Sequence, residues 1–106
     1  MKTLILCVSA ATFLAAMASP AGAATTEETM TKTGCMACHT KDKKLVGPPF
    51  KDIAAKYKGQ DVMAKLMEKV RKGGAGVYGP IPMAPNPPEK ISDAELKSAI
   101  ELILKS

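Results

Sequence analysis

The chain has 106 residues, with 15 lysines and arginines against 10 acidic residues and one histidine. This length allows one small domain, and so small a domain usually needs a disulfide, a metal or a cofactor to supplement its core. Tryptophan is absent, and the chain has only two tyrosines and two phenylalanines. Few side chains are therefore available to stack on nucleotide bases, which argues against nucleic acid binding.

The first 23 residues have the pattern of a secretory signal peptide. Lys2 gives a positive start, residues 4–18 form an apolar run, and Ala21 to Ala23 provide a small-residue cleavage site. The apolar run is shorter than the roughly 20 residues of a membrane span, so we expect no stable membrane insertion, with an uncleaved anchor as the alternative. We predict residues 1–23 as the signal peptide, residues 24–106 as the mature domain, and the periplasm as its location.

Two short helices are predicted in the first half of the mature chain. The first covers residues from about 26 to 34, because Thr25 and Glu28 form a capping box before it and Gly34 ends it. The second covers residues 50–57, directly after a Gly-Pro-Pro break.

Two longer amphipathic helices are predicted in the second half. Between residues 61 and 72, apolar side chains recur at three- and four-residue spacing until a Gly-Gly pair ends the pattern. The last helix begins at a second capping box, formed by Ser92 and Glu95, and carries apolar residues on one face. No part of the chain alternates with the period of a strand, so we predict an all-α domain.

A loop rich in proline and glycine, residues 73–90, separates the last two helices. Five of the eight prolines of the chain lie in it. A loop this long in a compact domain is usually either functional or disordered. Its apolar residues, among them Val77, Tyr78 and Ile81, favour a loop that packs against something.

Cys35, Cys38 and His39 lie together, and the only other cysteine, Cys7, falls in the predicted signal peptide. A disulfide oxidoreductase would place such a pair after a strand, and a zinc site would need a fourth ligand that no second cluster supplies. Cys-x-x-Cys-His is instead the pattern of c-type haem attachment, because two thiols on one helical turn can both reach the porphyrin edge. We predict one haem c, bound covalently through Cys35 and Cys38, with His39 as an axial ligand. A thiol-disulfide protein without haem is the alternative.

The second axial ligand decides what the iron can do. Met83 lies among three prolines of fixed φ, in a rigid loop that can present a soft thioether to the iron. His/Met ligation raises the reduction potential and suits electron transfer. We therefore predict Met83 as the second ligand, in an electron carrier that is not an enzyme. A haem enzyme or gas sensor in which Met83 dissociates is the alternative. Three other methionines lie at helical spacing and are predicted to pack in the core: Met30, Met63 and Met67.

Residues 34–39, 45–57 and 76–86 resemble the small bacterial class I cytochromes c, of the monohaem c-551 and c-552 type. The similarity covers nearly all of residues 26–106. It implies a class I cytochrome c domain over residues 24–106, with four to five helices around one covalently attached haem. It also implies a soluble carrier that passes single electrons to a reductase or an oxidase, such as nitrite reductase or a terminal oxidase.

The resemblance further implies roles for residues around the haem. The carbonyl of Pro48 would accept the second imidazole N–H of the axial histidine, and Asn86 would donate to the sulfur of the axial methionine. Tyr78, with Lys69 or Arg71, would lie near the haem propionates. The family commonly has tryptophan at the position of Tyr78.

Two further features concern packing and partners. The family tends to have aromatic residues where this chain has Met30 and Leu102, so we expect an aliphatic contact there. Lysines follow the attachment motif, and the mature chain carries a net positive charge. We predict a monomer that meets redox proteins with acidic docking surfaces, with a merely solvated basic face as the alternative. These lysines are Lys41, Lys43, Lys44, Lys51, Lys56 and Lys58.

Overall fold

The computed structural model describes residues 24–106, so the predicted signal peptide lies outside the described residues. The all-α prediction is confirmed, since this part of the chain contains helices and no β-strand. None of its helices is both long and apolar enough to cross a membrane. The five helices are α1 (Thr26–Lys32), α2 (Cys35–Cys38), α3 (Phe50–Lys56), α4 (Met63–Lys72) and α5 (Asp93–Leu104).

The first predicted helix is shorter than expected and is followed by a separate helical turn. The capping box is present, because the Thr25 hydroxyl accepts from the backbone N–H of Glu28 and the Glu28 carboxylate accepts from that of Thr25. However, α1 ends at Lys32 and α2 begins after Gly34, whose φ is 88°. A left-handed residue cannot continue a right-handed helix, and glycine adopts this conformation without steric cost. The attachment motif therefore forms its own turn.

The other helices start and end close to the predicted residues. Helix α3 ends at Lys56, and α4 begins at Met63 rather than Asp61 because Val62, with φ of −122°, precedes it without a side-chain cap. Helix α5 begins directly after its predicted N-cap, Ser92, whose hydroxyl accepts from the backbone N–H of Glu95.

The core consists of two apolar clusters that α5 joins. The first contains Met30, Phe50 and Ala99, with Leu102 packed against it. The first and last helices therefore meet through the expected aliphatic side chains, and Met30 is only 1% exposed. The second cluster contains Ile91, Leu96 and Ile100, and the apolar face of α4 packs against it. The residues of that face are Met63, Leu66, Met67 and Val70.

Candidate functional site

The turn α2 presents the two cysteines together. Both thiols are free and half-buried, and Cys35 packs against the first core cluster. The backbone of His39 leaves the helix in an extended conformation while its N–H still donates to the Cys35 carbonyl, at 3.0 Å. Three side chains that can bind a haem thus project from one turn. Residues 24–106 contain no cluster of three or more His, Cys, Asp or Glu side chains that could hold a metal ion, as a zinc site would require.

The imidazole of His39 is fixed from several sides. Its Nδ1 lies 2.8 Å from the carbonyl oxygen of Pro48. Because a carbonyl can only accept, Nδ1 carries the proton and Nε2 keeps its lone pair for a metal. The ring stacks on Phe50, with centroids 5.6 Å apart. A Cβ atom on Gly47 would lie 2.5 Å from Cε1 of the ring, so only glycine allows the backbone to approach so closely. Residues 35–50, which hold this arrangement, form the attachment segment.

Met83 lies half-buried on the loop of residues 73–90, which we call the methionine loop. Gly74 and Met83 exchange two backbone hydrogen bonds, of 2.9 and 3.0 Å, which tie the residue to the end of α4. A Cβ atom on Gly73 would overlap the carbonyl oxygen of Met83, and the φ of Gly73 is 68°. Gly73 and Gly47 thus both permit a close approach of the backbone to a candidate ligand, a role that the sequence interpretation did not give to Gly47.

The amide of Asn86 lies between the end of α4 and the methionine loop. Its Nδ2 donates to the carbonyls of Val70, at 3.2 Å, and Ala84, at 3.0 Å. A hydrogen bond from this amide to the sulfur of Met83 stays a prediction. Asn86 is buried, and both its side-chain amide and its backbone N–H donate to the carbonyl of Val70, near the C-terminal end of α4.

The two basic residues offered for the propionates have different surroundings. Arg71 donates to the carbonyl oxygens of Asn86 and Ile91, at 3.0 and 2.7 Å, and to a carboxylate oxygen of Asp93, at 2.6 Å. Its guanidinium is thus engaged at the far end of the methionine loop. In contrast, Nζ of Lys69 lies beside Gly74, since a Cβ atom added to that glycine would be 3.4 Å from this nitrogen. Lys69 is therefore the candidate for the propionates.

Tyr78 contacts a lysine that the sequence interpretation considered only as part of a basic surface. Nζ of Lys56 lies 5.8 Å from the ring centroid of Tyr78 and 5.9 Å from that of Tyr57. Partial burial, and to a lesser degree the charges of Tyr57 and Asp52, raise the pKa of the Tyr78 hydroxyl. The hydroxyl therefore stays protonated and can donate a hydrogen bond over a wide pH range.

The side chains of the attachment segment and the methionine loop include the donors that a c-type haem needs. Two unpaired thiols, an imidazole with a free Nε2 and a thioether on a tethered loop are the donors that such a haem requires. Large apolar side chains are also exposed in the attachment segment and the methionine loop, and these can cover a porphyrin. They are Met36, Leu45, Val46, Val77, Tyr78 and Ile81.

Comparison with known proteins places the chain among the cytochromes c. The family model described as Cytochrome c matches residues 23–106. Cytochrome c2 of Rubrivivax gelatinosus is 51% identical over 84 residues, covering 78% of this chain and 99% of that protein. Cytochrome c-551 of Azotobacter vinelandii is 48% identical over 81 residues, covering 76% of this chain and 95% of that protein.

Solved structures agree with these relatives. The crystal structure of wild-type Nitrosomonas europaea cytochrome c552 is similar at a TM-score of 0.66 and 41% identity, covering 74% of this chain and 96% of that one. The chain belongs to the cytochrome c family, as a small class I monohaem member, which confirms the resemblance seen in the sequence. Membership implies an electron carrier with one covalently attached c-type haem, for which Cys35 and Cys38 are the cysteines of the described residues.

Proposed function

We propose that the protein is a soluble periplasmic electron carrier in which Cys35 and Cys38 attach the haem and His39 and Met83 are the two axial ligands of its iron. The observation that carries this proposal is the imidazole of His39. It follows the two thiols directly, and Pro48 fixes it through Nδ1, so that Nε2 is the nitrogen left for the metal. A ligand oriented in this way binds a metal without further rearrangement.

The haem supplies an iron that changes between the ferrous and ferric states when it is bound. Contacts with Pro48 and Phe50 hold the ring of His39 in one orientation. Met83 offers a soft thioether, which favours the ferrous state and raises the reduction potential. With His39 and Met83 as the axial ligands, side chains would fill both axial positions and leave none for a substrate. The protein therefore exchanges electrons and does not act as an enzyme.

Lys69 and Tyr78 are the residues that we propose for the propionates. Lys69 stands beside Gly74, and its ammonium group would balance a propionate charge. Tyr78 keeps its hydroxyl proton because of its raised pKa. Arg71 is left out of this role because its guanidinium binds Asn86, Ile91 and Asp93.

The proposed partners are redox proteins with acidic docking surfaces, such as a reductase or a terminal oxidase. Lys41, Lys43 and Lys44 are exposed on the attachment segment, close in sequence to the two thiols. A cluster of positive charge attracts an acidic partner over a distance comparable to the Debye length and raises the association rate. We propose that the carrier works as a monomer.

Carbon monoxide binding to the reduced protein tests the proposed function. The intact mass of the exported protein should equal that of the chain from about residue 24 plus one haem. The reduced protein should then fail to bind carbon monoxide, since Met83 and His39 occupy both axial positions. Binding by the unaltered protein would contradict the carrier proposal and favour a haem enzyme or gas sensor. A mass without haem would contradict the attachment through Cys35 and Cys38.

A further inference from the structure

Arg71 joins three parts of the chain through the hydrogen bonds of its side chain. It extends from the last turn of α4 to the carbonyls of Asn86 and Ile91 and to the carboxylate of Asp93. The Arg71 side chain is 18% exposed, whereas that of Asp93 is 80% exposed. The hydrogen bonds to the two carbonyls are therefore partly buried, whereas the ion pair with Asp93 is exposed to solvent.

An arginine is well suited to this position. Its planar guanidinium carries five N–H donors in a fixed geometry, so one side chain can bind two carbonyls and a carboxylate together. In residues 24–106, Arg71 is the donor for the carbonyls of both Asn86 and Ile91. Without it, two partly buried acceptors would lose their partner, and this costs more than an exposed hydrogen bond contributes.

The contacts of Arg71 lead directly to Met83. Asn86 lies three residues after Met83, and its backbone N–H donates to the carbonyls of Val70 and Arg71. On the other side, Gly74 exchanges two hydrogen bonds with Met83. Hydrogen bonds to the end of α4 thus hold the chain at Met83 itself and again at Asn86. Arg71 stabilises the second set through the carbonyl of Asn86.

We propose that Arg71 is a positioning residue for Met83, holding the methionine loop so that the thioether stays at the iron. The proposal rests on the proposed function, in which Met83 is an axial ligand. Arg71 acts through the backbone of Asn86 and makes no contact with the iron. Its loss should raise the fraction of time that Met83 is detached, without removing the ligand itself.

The test replaces Arg71 in the haem-containing protein by methionine, which keeps the apolar stem and removes every donor. We expect Arg71→Met to bind carbon monoxide in the reduced form about tenfold faster than the unaltered protein, since charged hydrogen bonds of this kind are each worth about that factor. Its reduction potential should also fall. Lys72→Met is the matched control, because it removes a neighbouring positive charge whose exposed ion pair with Glu68 touches no part of the loop.

Two further variants separate positioning from stability alone. Asp93→Asn removes the ion pair and keeps both carbonyl contacts, so it should speed carbon monoxide binding less than Arg71→Met does. Arg71→Lys should restore part of the slow binding. If these variants are less stable but bind carbon monoxide as slowly as Lys72→Met, Arg71 serves only folding and the inference is overturned. It is overturned as well if Arg71→Met cannot fold and Asp93→Asn binds carbon monoxide no faster than the unaltered protein.

Met83→Ala distinguishes failure of this inference from failure of the proposed function. If Met83→Ala binds carbon monoxide no better than the unaltered protein, the ligand assignment is wrong and the role of Arg71 is overturned with it. If Met83→Ala binds carbon monoxide readily and Arg71→Met does not, only the role of Arg71 is overturned.

Discussion

The attachment segment and the methionine loop hold their candidate ligands in different ways. In the attachment segment, His39 is fixed by Pro48, Phe50 and Gly47, all within a short stretch, and two of these contacts are packing contacts. In the methionine loop, Met83 is fixed by backbone hydrogen bonds and by Arg71, across a much longer stretch of chain. Hydrogen bonds can be exchanged for bonds to water at little net cost, whereas a packed ring cannot move until its neighbours do. The comparison therefore predicts that ligand loss begins at Met83.

The largest effect is expected from Met83→Ala. The haem should stay attached, because Cys35, Cys38 and His39 are unchanged. The reduced protein should change from excluding carbon monoxide to binding it in full, and the reduction potential should fall markedly because a soft ligand is lost. A redox titration and a carbon monoxide difference spectrum measure both effects.

Met67→Ala is the control for this change. Met67 lies half-buried on α4, packed against the second core cluster. Its loss should lower stability and leave the ligation spectrum alone. A Met83→Ala protein that keeps its potential and still excludes carbon monoxide would require another methionine as the ligand.

Met30→Ala tests whether the attachment segment depends on core packing. Met30 is almost fully buried in the cluster that includes Phe50, and Cys35 packs against it. Removing such a side chain should lower the free energy of unfolding by about 2–5 kcal/mol. Denaturant unfolding of the haem-containing protein measures this loss. If the variant also binds carbon monoxide faster, in proportion to its loss of stability, then the attachment segment and the methionine loop are coupled. The contrast drawn between them would then be wrong.

Gly47→Ala addresses the histidine side alone. The added Cβ would press on the imidazole of His39, so we expect a loss of about 1–3 kcal/mol in stability from overpacking. The ring should also turn, which proton NMR of the oxidised haem detects. Gly59→Ala is the comparison variant, because Gly59 has φ of 75° and no neighbour within 4 Å of an added Cβ. It should lower stability through backbone strain and leave the haem spectrum unchanged.

Salt dependence tests the role of the basic part of the attachment segment. If Lys41, Lys43 and Lys44 meet an acidic partner, the bimolecular electron-transfer rate should fall as ionic strength rises. Replacing the three lysines by glutamine should flatten this dependence, whereas Lys97→Gln on α5 should change it little. A rate that does not respond to salt would indicate a merely solvated face and docking through apolar surface.

The smallest effect is expected at low pH, from the capping box at the start of α5. Hydrogen bonds from Ser92, chiefly its backbone N–H, hold the pKa of Glu95 below its ordinary value of 4.5. A carboxyl group whose pKa is lowered in the folded state stabilises the fold at pH values above its ordinary pKa. This stabilisation is lost as the pH falls through the lowered pKa. Glu95→Gln keeps an acceptor for the cap without this titration. The melting temperature of Glu95→Gln should therefore fall less than that of the unaltered protein between about pH 5 and pH 3, the range in which carboxyl groups usually titrate.

Much of the fold could be predicted because the signals are local. The capping boxes of Thr25 and Ser92 involve residues three positions apart, so the sequence contains everything that determines them. The break at Gly34 was harder, since glycine is also compatible with a simple helix end, and only the backbone conformation shows that a new turn follows. The family could be identified because its motifs combine unusual residues at short spacing.

The hydrogen-bond partners of long polar side chains could not be predicted in the same way. The resemblance directed Asn86 towards the methionine sulfur and allowed Arg71 near the propionates. In the structure, both satisfy carbonyls that the chain brings close only after α4, the loop and α5 have packed together. Such partners depend on three-dimensional distances that residue identity does not encode. Gly47 and Gly73 illustrate the same limit, because their role is the space that they leave open.

The distance along the chain between the two proposed axial ligands has a consequence for unfolding. The thioethers at Cys35 and Cys38 close a very short loop, which removes about 2 kcal/mol of chain entropy from the unfolded state by the usual relation. A bond from the iron to Met83, with His39 also bound, would close a loop over residues 39–83. Closing this loop in the unfolded chain would cost about 4 kcal/mol by the same relation, so the bond would form far more readily in the folded protein. As an axial ligand, the methionine would thus act as a reversible cross-link whose strength follows the oxidation state of the iron. Since the soft thioether prefers ferrous iron, reduction should make the whole domain harder to unfold.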